Sequence, residues 1–161
     1  MGVHFGHLCS LLLRHLQSAC VGVLVKLEFT IEGKAAAGRP RINRGGRGMH
    51  NTPNVARWKA VVKEQAFLAM REHQVDTAPE GVPVGLMVDV YLPWAKGKPK
   101  KVANSTAAHV SKPDGDNLLK PIMDGLSEAS VWQDDNQVDR IFLQKWRCPI
   151  GEERTEITIT W

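Results

Sequence analysis

A chain of 161 residues is long enough for a single domain with one hydrophobic core. Its apolar fraction of 43% and its charged fraction of 24% are typical of folded proteins and exclude a disordered or fibrous chain. The cysteines at positions 9, 20 and 148 lack the paired spacing of a zinc site, and neither zinc nor a disulfide is expected.

The first 20 residues differ from the rest of the chain. Leu8, Leu12 and Leu16 have helical spacing, but Arg14 and His15 interrupt the apolar run, which argues against a signal peptide. We predict that residues 1–20 are an extension and that residues 21–161 form the domain.

Apolar periodicity predicts the elements of this domain in chain order. Alternation over residues 21–31 predicts a strand, and the Gly- and Arg-rich stretch after it predicts a loop. Thr52 and Pro53 suit the N-cap and first position of a helix ending near His73. A strand at 84–92, a lysine-rich loop to about residue 111, a helix at 116–129 and strands at 131–132, 138–146 and 157–161 follow. The prediction is an α+β (mixed α/β) domain with a small mixed sheet of four to five strands and two helices.

The charges are segregated along the chain. No acidic residue occurs from residue 33 to 63 or from 90 to 113, whereas six of the 17 acids lie between 114 and 135. Basic segments around one acidic cluster favour a polyanion partner and a cation site over a merely solvated basic face. The candidate DNA-binding residues are Lys34, Arg39, Arg41, Arg44, Arg47, Lys96, Lys98, Lys100, Lys101 and Lys112.

The acidic cluster has a spacing that can converge in space. Asp114 and Asp116 point the same way if the chain is extended there, and Asp116 is a suitable N-cap for the helix that follows. Lys120 lies one helical turn beyond Asp116. A helix of 13 residues rises about 20 Å. Six extended residues return about the same distance, which brings Asp135 back toward Asp114 and Asp116.

Three convergent carboxylates indicate a metal site. Without a cation they would repel one another, and oxygen ligands with no Cys or His nearby suit Mg²⁺. Such a site on a basic surface fits metal-assisted phosphodiester hydrolysis, in which Lys120 would hold the scissile phosphate or neutralise the leaving oxygen. In the alternative reading Asp116 is only a cap, Asp134 and Asp135 form a turn, and Lys120 is a surface ion-pair partner.

These residues resemble a known family. The run Pro113-Asp114-x-Asp116-Asn117-Leu118-x-Lys120, then Asp124-x-Leu126, then Trp132-x-Asp134-Asp135-x-Gln137-Val138 is similar to the signature of the RusA-type Holliday junction resolvases. Gly38-Arg39-Pro40-Arg41 resembles the family as well, and the likeness spans about residues 23–161. Gly115 departs from it, since a larger apolar residue is common there.

The resemblance implies a function and a set of catalytic residues. Asp114, Asp116 and Asp135 would be the catalytic metal ligands and Lys120 the essential lysine. The protein would be a Mg²⁺-dependent homodimer that nicks four-way DNA junctions in recombination and repair. It would be bacterial or phage-encoded, often from a prophage, and cytoplasmic. A general branched-DNA nuclease, a non-catalytic DNA-binding module and a membrane-associated protein remain as alternatives.

Overall fold

The computed structural model describes residues 24–38, 41–42, 49–97 and 99–161. The predicted extension, residues 1–20, lies outside these ranges. So do four candidate DNA-binding residues, Arg39, Arg44, Arg47 and Lys98.

The described chain is an α+β fold built on a five-stranded mixed sheet, as the sequence predicted. The strands in this sheet are ordered β1-β7-β4-β6-β5; β4 and β6 are parallel, and the other neighbours are antiparallel. A separate two-stranded hairpin pairs β2 with β3. In chain order the elements are β1 (Lys26–Glu32), β2 (Arg41–Ile42), β3 (Met49–His50), α1 (Pro53–His73), β4 (Val84–Pro93), α2 (Lys100–Ala103), β5 (Ala107–Ala108), α3 (Gly115–Glu128), a 3₁₀ turn (Asp135–Gln137), β6 (Val138–Cys148) and β7 (Arg154–Thr160).

One face of the sheet carries the core. Alternate residues of β4, from Val84 to Leu92, are buried there together with residues of α1 and α3. The two helices approach closely, since a Cβ on Gly125 of α3 would lie 2.8 Å from the Cβ of Val62 on α1. The parallel pair β4–β6 requires a crossover connection, and α3 lies in that crossover. The fold therefore fixes α3, which carries three of the six acids of the cluster, against the core.

Three local predictions need correction. The strand β1 begins at Lys26 instead of residue 21, where its pairing with β7 begins. The predicted short strand at 131–132 is a single bridge between Trp132 and Ala78. The lysine-rich loop contains a short helix and a short strand, α2 and β5, because Ala107 and Ala108 pair with the end of β6. None of these contacts has a local sequence pattern.

The helix α1 matches its prediction in position, from Pro53 to His73 with Thr52 as N-cap. The Thr52 side chain, however, makes no capping hydrogen bond. No helix in the described ranges is both long and apolar enough to cross a membrane.

Candidate active site

The N-terminus of α3 presents the first two predicted ligands. The helix begins at Gly115 with Asp114 as N-cap, so Asp116 lies in the first helical turn. The prediction that both aspartates lie on an extended segment, with Asp116 as the cap, was wrong by about two residues. The helix starts earlier because Asp114 itself has the extended backbone of a cap and Gly115 is already helical. Negative charge is favourable at both positions, since a helix N-terminus carries a partial positive charge.

Local hydrogen bonds hold the first turn. The Asp116 carboxylate accepts a hydrogen bond from the Asn117 backbone N–H at 2.9 Å, and the Asn117 side-chain amide lies 3.5 Å from Asp114 Oδ2. The Asn117 carbonyl accepts from the Gly38 N–H at 2.9 Å. Asn117 thus connects both aspartates to the segment that precedes the arginine-rich loop.

The strand β6 fixes the chain just before α3. Lys145 Nζ donates to the carbonyls of Ser111 at 3.0 Å and Pro113 at 2.8 Å. A Cβ on Gly115 would lie only 2.9 Å from Leu143 Cδ2, so the backbone of α3 lies directly against β6 at this point. Gly115, where the sequence departs from the family pattern, therefore allows a close contact.

Lys120 lies on the exposed stripe of α3 that Asp116 begins. Its Nζ is 2.8 Å from Asp124 Oδ1, the i,i+4 ion pair of the alternative reading. The hydrogen bond to Asp124 raises the pKa of Lys120, and the negative charge of Asp135 raises it further. The predicted return of Asp135 to Asp114 and Asp116 stays a prediction.

Gln137 anchors the turn that carries Asp135. Its side-chain oxygen accepts from the backbone N–H groups of Gln133 and Asp134, at 2.9 and 3.0 Å. Its amide nitrogen donates to the carbonyls of Pro79 and Val82, at 2.7 and 3.1 Å. Sequence reasoning assigned Gln137 no role. The spacing Asp134-x-x-Gln137 is a capping box, and the structure forms that box, so the signal was present.

The carboxylates do not form a compact three-ligand cluster in this structure. Asp135 and Asp124 line a cleft of about 370 Å³ together with Lys59 and Trp132. Across the described ranges, no three Asp, Glu, His or Cys side chains are grouped closely enough to hold a metal ion. The donor set still fits Mg²⁺, because it consists of exposed carboxylates, one of which also takes a hydrogen bond from a backbone amide. The assignment of Asp114, Asp116 and Asp135 as ligands stays a prediction.

The described basic candidates occupy two places. Lys34 and Lys112 line a cavity between β1, the start of α1 and β6, while Lys96 and Lys101 are exposed near α2. The backbones of Arg41 and Lys100 lie in β2 and α2, and their side chains are outside the described part. Sequence reasoning did not select Arg57 and Arg147, which also line the cavity.

The fold and these residues define a class: a small α+β protein that presents exposed carboxylates on one helix beside a basic cavity. Residues 32–160 match the family described as Endodeoxyribonuclease RusA, and the chain belongs to that family. It is also similar to the uncharacterised protein YqaN of Bacillus subtilis (strain 168), with 30% identity over 141 residues, which covers 83% of this chain and 94% of that protein. Membership of an endodeoxyribonuclease family supports the predicted nuclease class.

Proposed function

We propose that the protein is a Mg²⁺-dependent endonuclease that resolves four-way DNA junctions in recombination and repair. The observation that carries the proposal is the family match over residues 32–160 together with Asp114 and Asp116 at the N-terminus of α3. Asp135 would complete the metal site from the turn that Gln137 anchors. Clustered negative charge would weaken DNA binding in the absence of a cation, so this arrangement favours a catalytic protein over a simple DNA-binding module.

The side chains have separate roles in the proposed reaction. Asp114, Asp116 and Asp135 would hold Mg²⁺, which supplies an activated water and stabilises charge on the phosphorus. Lys120 is an ammonium at neutral pH, since the bond to Asp124 raises its pKa, and it would therefore stabilise a phosphate oxygen by charge. Asp124 is a positioning residue that holds Lys120 along the exposed stripe of α3.

A homodimer fits both the reaction and the surface. Resolution by two symmetric cuts requires two sites related by a twofold axis. The sheet face opposite the helices is open, and it exposes Met87 by 47% and Phe142 by 54% beside the stacked rings of Tyr91 and Trp146. A second copy of the chain would cover this apolar surface. We further propose a cytoplasmic, bacterial or phage-encoded protein with a domain at residues 21–161.

The test is cleavage of a synthetic four-way junction beside a linear duplex of the same sequence, with Mg²⁺ and with EDTA. We expect paired nicks in the junction with Mg²⁺, little cutting of the duplex and none of either substrate with EDTA. Equal cutting of a flap, a fork and the junction would instead indicate a general branched-DNA nuclease. Cutting that persists in EDTA, or no cutting of any branched substrate, would contradict the proposal.

A further inference from the structure

A cavity of about 660 Å³ lies between the start of α1, the segment after β1 and the end of β6. Its volume is in the range of small-molecule sites in proteins. We call it the basic pocket, because four cationic side chains and no acidic side chain line it among the residues that the structure describes. The cations are Lys34, Arg57, Lys112 and Arg147. Residues 33–63, which include the arginine-rich stretch, contain no acid that could neutralise these charges.

Two buried N–H donors on residues of the pocket wall have no partner within the described part of the chain. Trp58 is 6% exposed and its Nε1 makes no hydrogen bond among the described residues. His109 is 4% exposed; its Nδ1 accepts from the Ser111 N–H at 3.3 Å, while its Nε2 makes no hydrogen bond there. A neutral imidazole whose Nδ1 accepts carries its proton on Nε2, so both orphan atoms are donors. Buried donors are normally paired, and an unpaired one calls for an acceptor such as a ligand.

The N-terminus of α1 adds a third kind of donor. Thr52 caps this 21-residue helix without a side-chain hydrogen bond, and the first turn contains no acid. Pro53 has no N–H and the Ala56 N–H donates to the Thr52 carbonyl at 3.0 Å, so the first-turn amides without a partner inside the helix are those of Asn54 and Val55. Both residues line the pocket together with Thr52. Four cationic side chains and the positive end of a helix therefore line one cavity, and two residues with buried donors stand in its wall. This combination favours an anion with several acceptor oxygens.

Arg147 is held in place for such a ligand. Its guanidinium donates to the Pro93 carbonyl at 2.8 Å and to Ser111 Oγ at 3.0 Å, and it lies over the Trp94 ring. A guanidinium with part of its donor set already fixed loses little freedom on binding a phosphate. The positive charge of Arg147 and, above all, burial lower the pKa of His109, so the neutral donor is the expected form.

We propose that the basic pocket holds a backbone phosphate of the DNA strand that is cut, close to the scissile phosphate. Lys112 and Pro113 line the pocket and Asp114 follows them directly, so a phosphate bound there would lie beside a proposed metal ligand. This proposal rests on the proposed function for the identity of the scissile strand. The binding chemistry itself needs no metal and no cleavage.

The test combines a double variant with single neutralised phosphates. Lys34→Gln with Arg57→Gln removes two exposed charges that line the pocket, and circular dichroism checks that the variant is folded. Arg71→Gln is the matched control, because Arg71 is an exposed cation at the other end of the same helix. Binding to a fluorescent four-way junction is measured in EDTA at several salt concentrations, with methylphosphonate placed at one phosphate at a time.

We expect the double variant to lower the slope of log Kd against log salt by about 2, and Arg71→Gln to leave it unchanged. One methylphosphonate near the cleavage position should weaken wild-type binding by about tenfold and have little further effect on the double variant. If every methylphosphonate weakened both proteins equally, the pocket would hold no DNA phosphate and the proposal would be overturned.

A further arm separates DNA from a free anion and from failure of the proposed function. Inorganic phosphate and a nucleoside monophosphate are titrated while the His109 and Trp58 side-chain NMR signals are followed. Signals that respond to these anions without any coupling between variant and methylphosphonate would assign the pocket to a free phosphate compound and overturn the DNA proposal. If the variant and the methylphosphonate are coupled but the protein cuts no junction, the pocket proposal is supported and only the nuclease proposal is refuted. If the protein cuts junctions but no coupling is seen, the nuclease proposal is supported and the pocket proposal is refuted.

Discussion

The exposed stripe of α3, here called the acidic stripe, follows directly in the chain after residues 112–114, which adjoin the basic pocket. The two sites are built in different ways. The stripe places Asp116, Lys120 and Asp124 one helical turn apart on a single element, and its charges are solvent-exposed or half-buried. The basic pocket takes its lining from the segment after β1, from α1, β4 and β6 and from the loop before α3, and two of its polar side chains are buried.

This difference suggests a division of labour. Exposed carboxylates can exchange water and a cation readily, which suits a metal site that must also admit substrate phosphate. Buried donors and a fixed guanidinium are preorganised, which suits a site that positions a strand before the chemistry. Residues of the acidic stripe would act in strand cleavage, and the basic pocket would bind the strand.

The largest expected effect is a loss of DNA cleavage without a loss of DNA binding. Asp116→Asn keeps an oxygen for the Asn117 N–H but removes a negative charge from the metal site. We expect cleavage to fall by more than about 100-fold, since even partners behind the ligands of a metal contribute 10- to 100-fold. Junction binding should stay equal or tighten, because a charge that repels phosphate is lost. Parallel losses of binding and cleavage, measured by gel shift and by nicking of one labelled junction, would mean that Asp116 serves structure.

The two glycines of α3 test how firmly the stripe is held at each end. A Cβ on Gly125 would meet the Val62 side chain at 2.8 Å and the rigid Lys59 carbonyl at 2.9 Å, so Gly125→Ala should lower the free energy of unfolding by about 1–3 kcal/mol. A Cβ on Gly115 would meet only the end of the Leu143 side chain, which can rotate. Gly115→Ala should therefore cost less, because its one close neighbour can move away, whereas the gain of about 1 kcal/mol in helix propensity applies at either position. Urea denaturation checks the order, and a larger loss for Gly115→Ala would contradict the close α1–α3 contact.

Substitution of Gln137 should affect the proposed metal site more than the basic pocket. Gln137→Ala removes four hydrogen bonds that position Asp135, and each is worth about 0.5–1.5 kcal/mol. We expect cleavage to fall by about tenfold or more and the Mg²⁺ concentration for half-maximal activity to rise. Gln137→Glu keeps the side-chain acceptor and loses the donor. Its cleavage rate and its Mg²⁺ requirement should therefore lie between those of the wild type and of Gln137→Ala. An unchanged Mg²⁺ requirement in both variants would show that the turn does not position a metal ligand.

The sequence predicted the stripe well because its information is local. Charges spaced four residues apart mark the exposed side of α3. In the same way, a proline at the helix start marks α1 and strict alternation marks β4. Each pattern predicts its element without reference to the rest of the chain. The start of α3 was misplaced because Asp114 and Asp116 are both good caps, and the local sequence does not choose between them.

The basic pocket could not be predicted in the same way. His109 and Trp58 are 51 residues apart in the sequence, and nothing local marks either as an unpaired donor. Arg147 lies one residue beyond the predicted strand at 138–146, and its place in the pocket follows only from the pairing of β6 with β4 and β5. Contacts between distant segments create this site, and periodicity carries no information about them.

The smallest expected effect is on pH dependence and concerns the pocket. The folded protein lowers the pKa of His109 below its usual 6.5, so the unfolded chain takes up a proton more readily. The contribution of His109 to stability is therefore complete above pH 6.5 and is lost as the pH falls below it. We expect wild-type protein to lose stability relative to His109→Gln between about pH 7 and 5. Besides burial, the positive charges of Arg147 and Lys145 oppose protonation of the imidazole.

Thermal unfolding of both proteins across that pH range gives the comparison. A constant difference in melting temperature would contradict the buried, neutral histidine. That result would not contradict the proposed role of the acidic stripe.

The most direct test of the central claim is where a divalent cation binds. Mn²⁺ can replace Mg²⁺ at oxygen ligands, and it broadens the NMR signals of nearby nuclei. With substoichiometric Mn²⁺, we predict the strongest broadening at the backbone amides of residues 114–120 and 133–137, and its loss in Asp116→Asn. Broadening that centres elsewhere, or that persists unchanged in Asp116→Asn, would contradict a metal site formed by Asp114, Asp116 and Asp135.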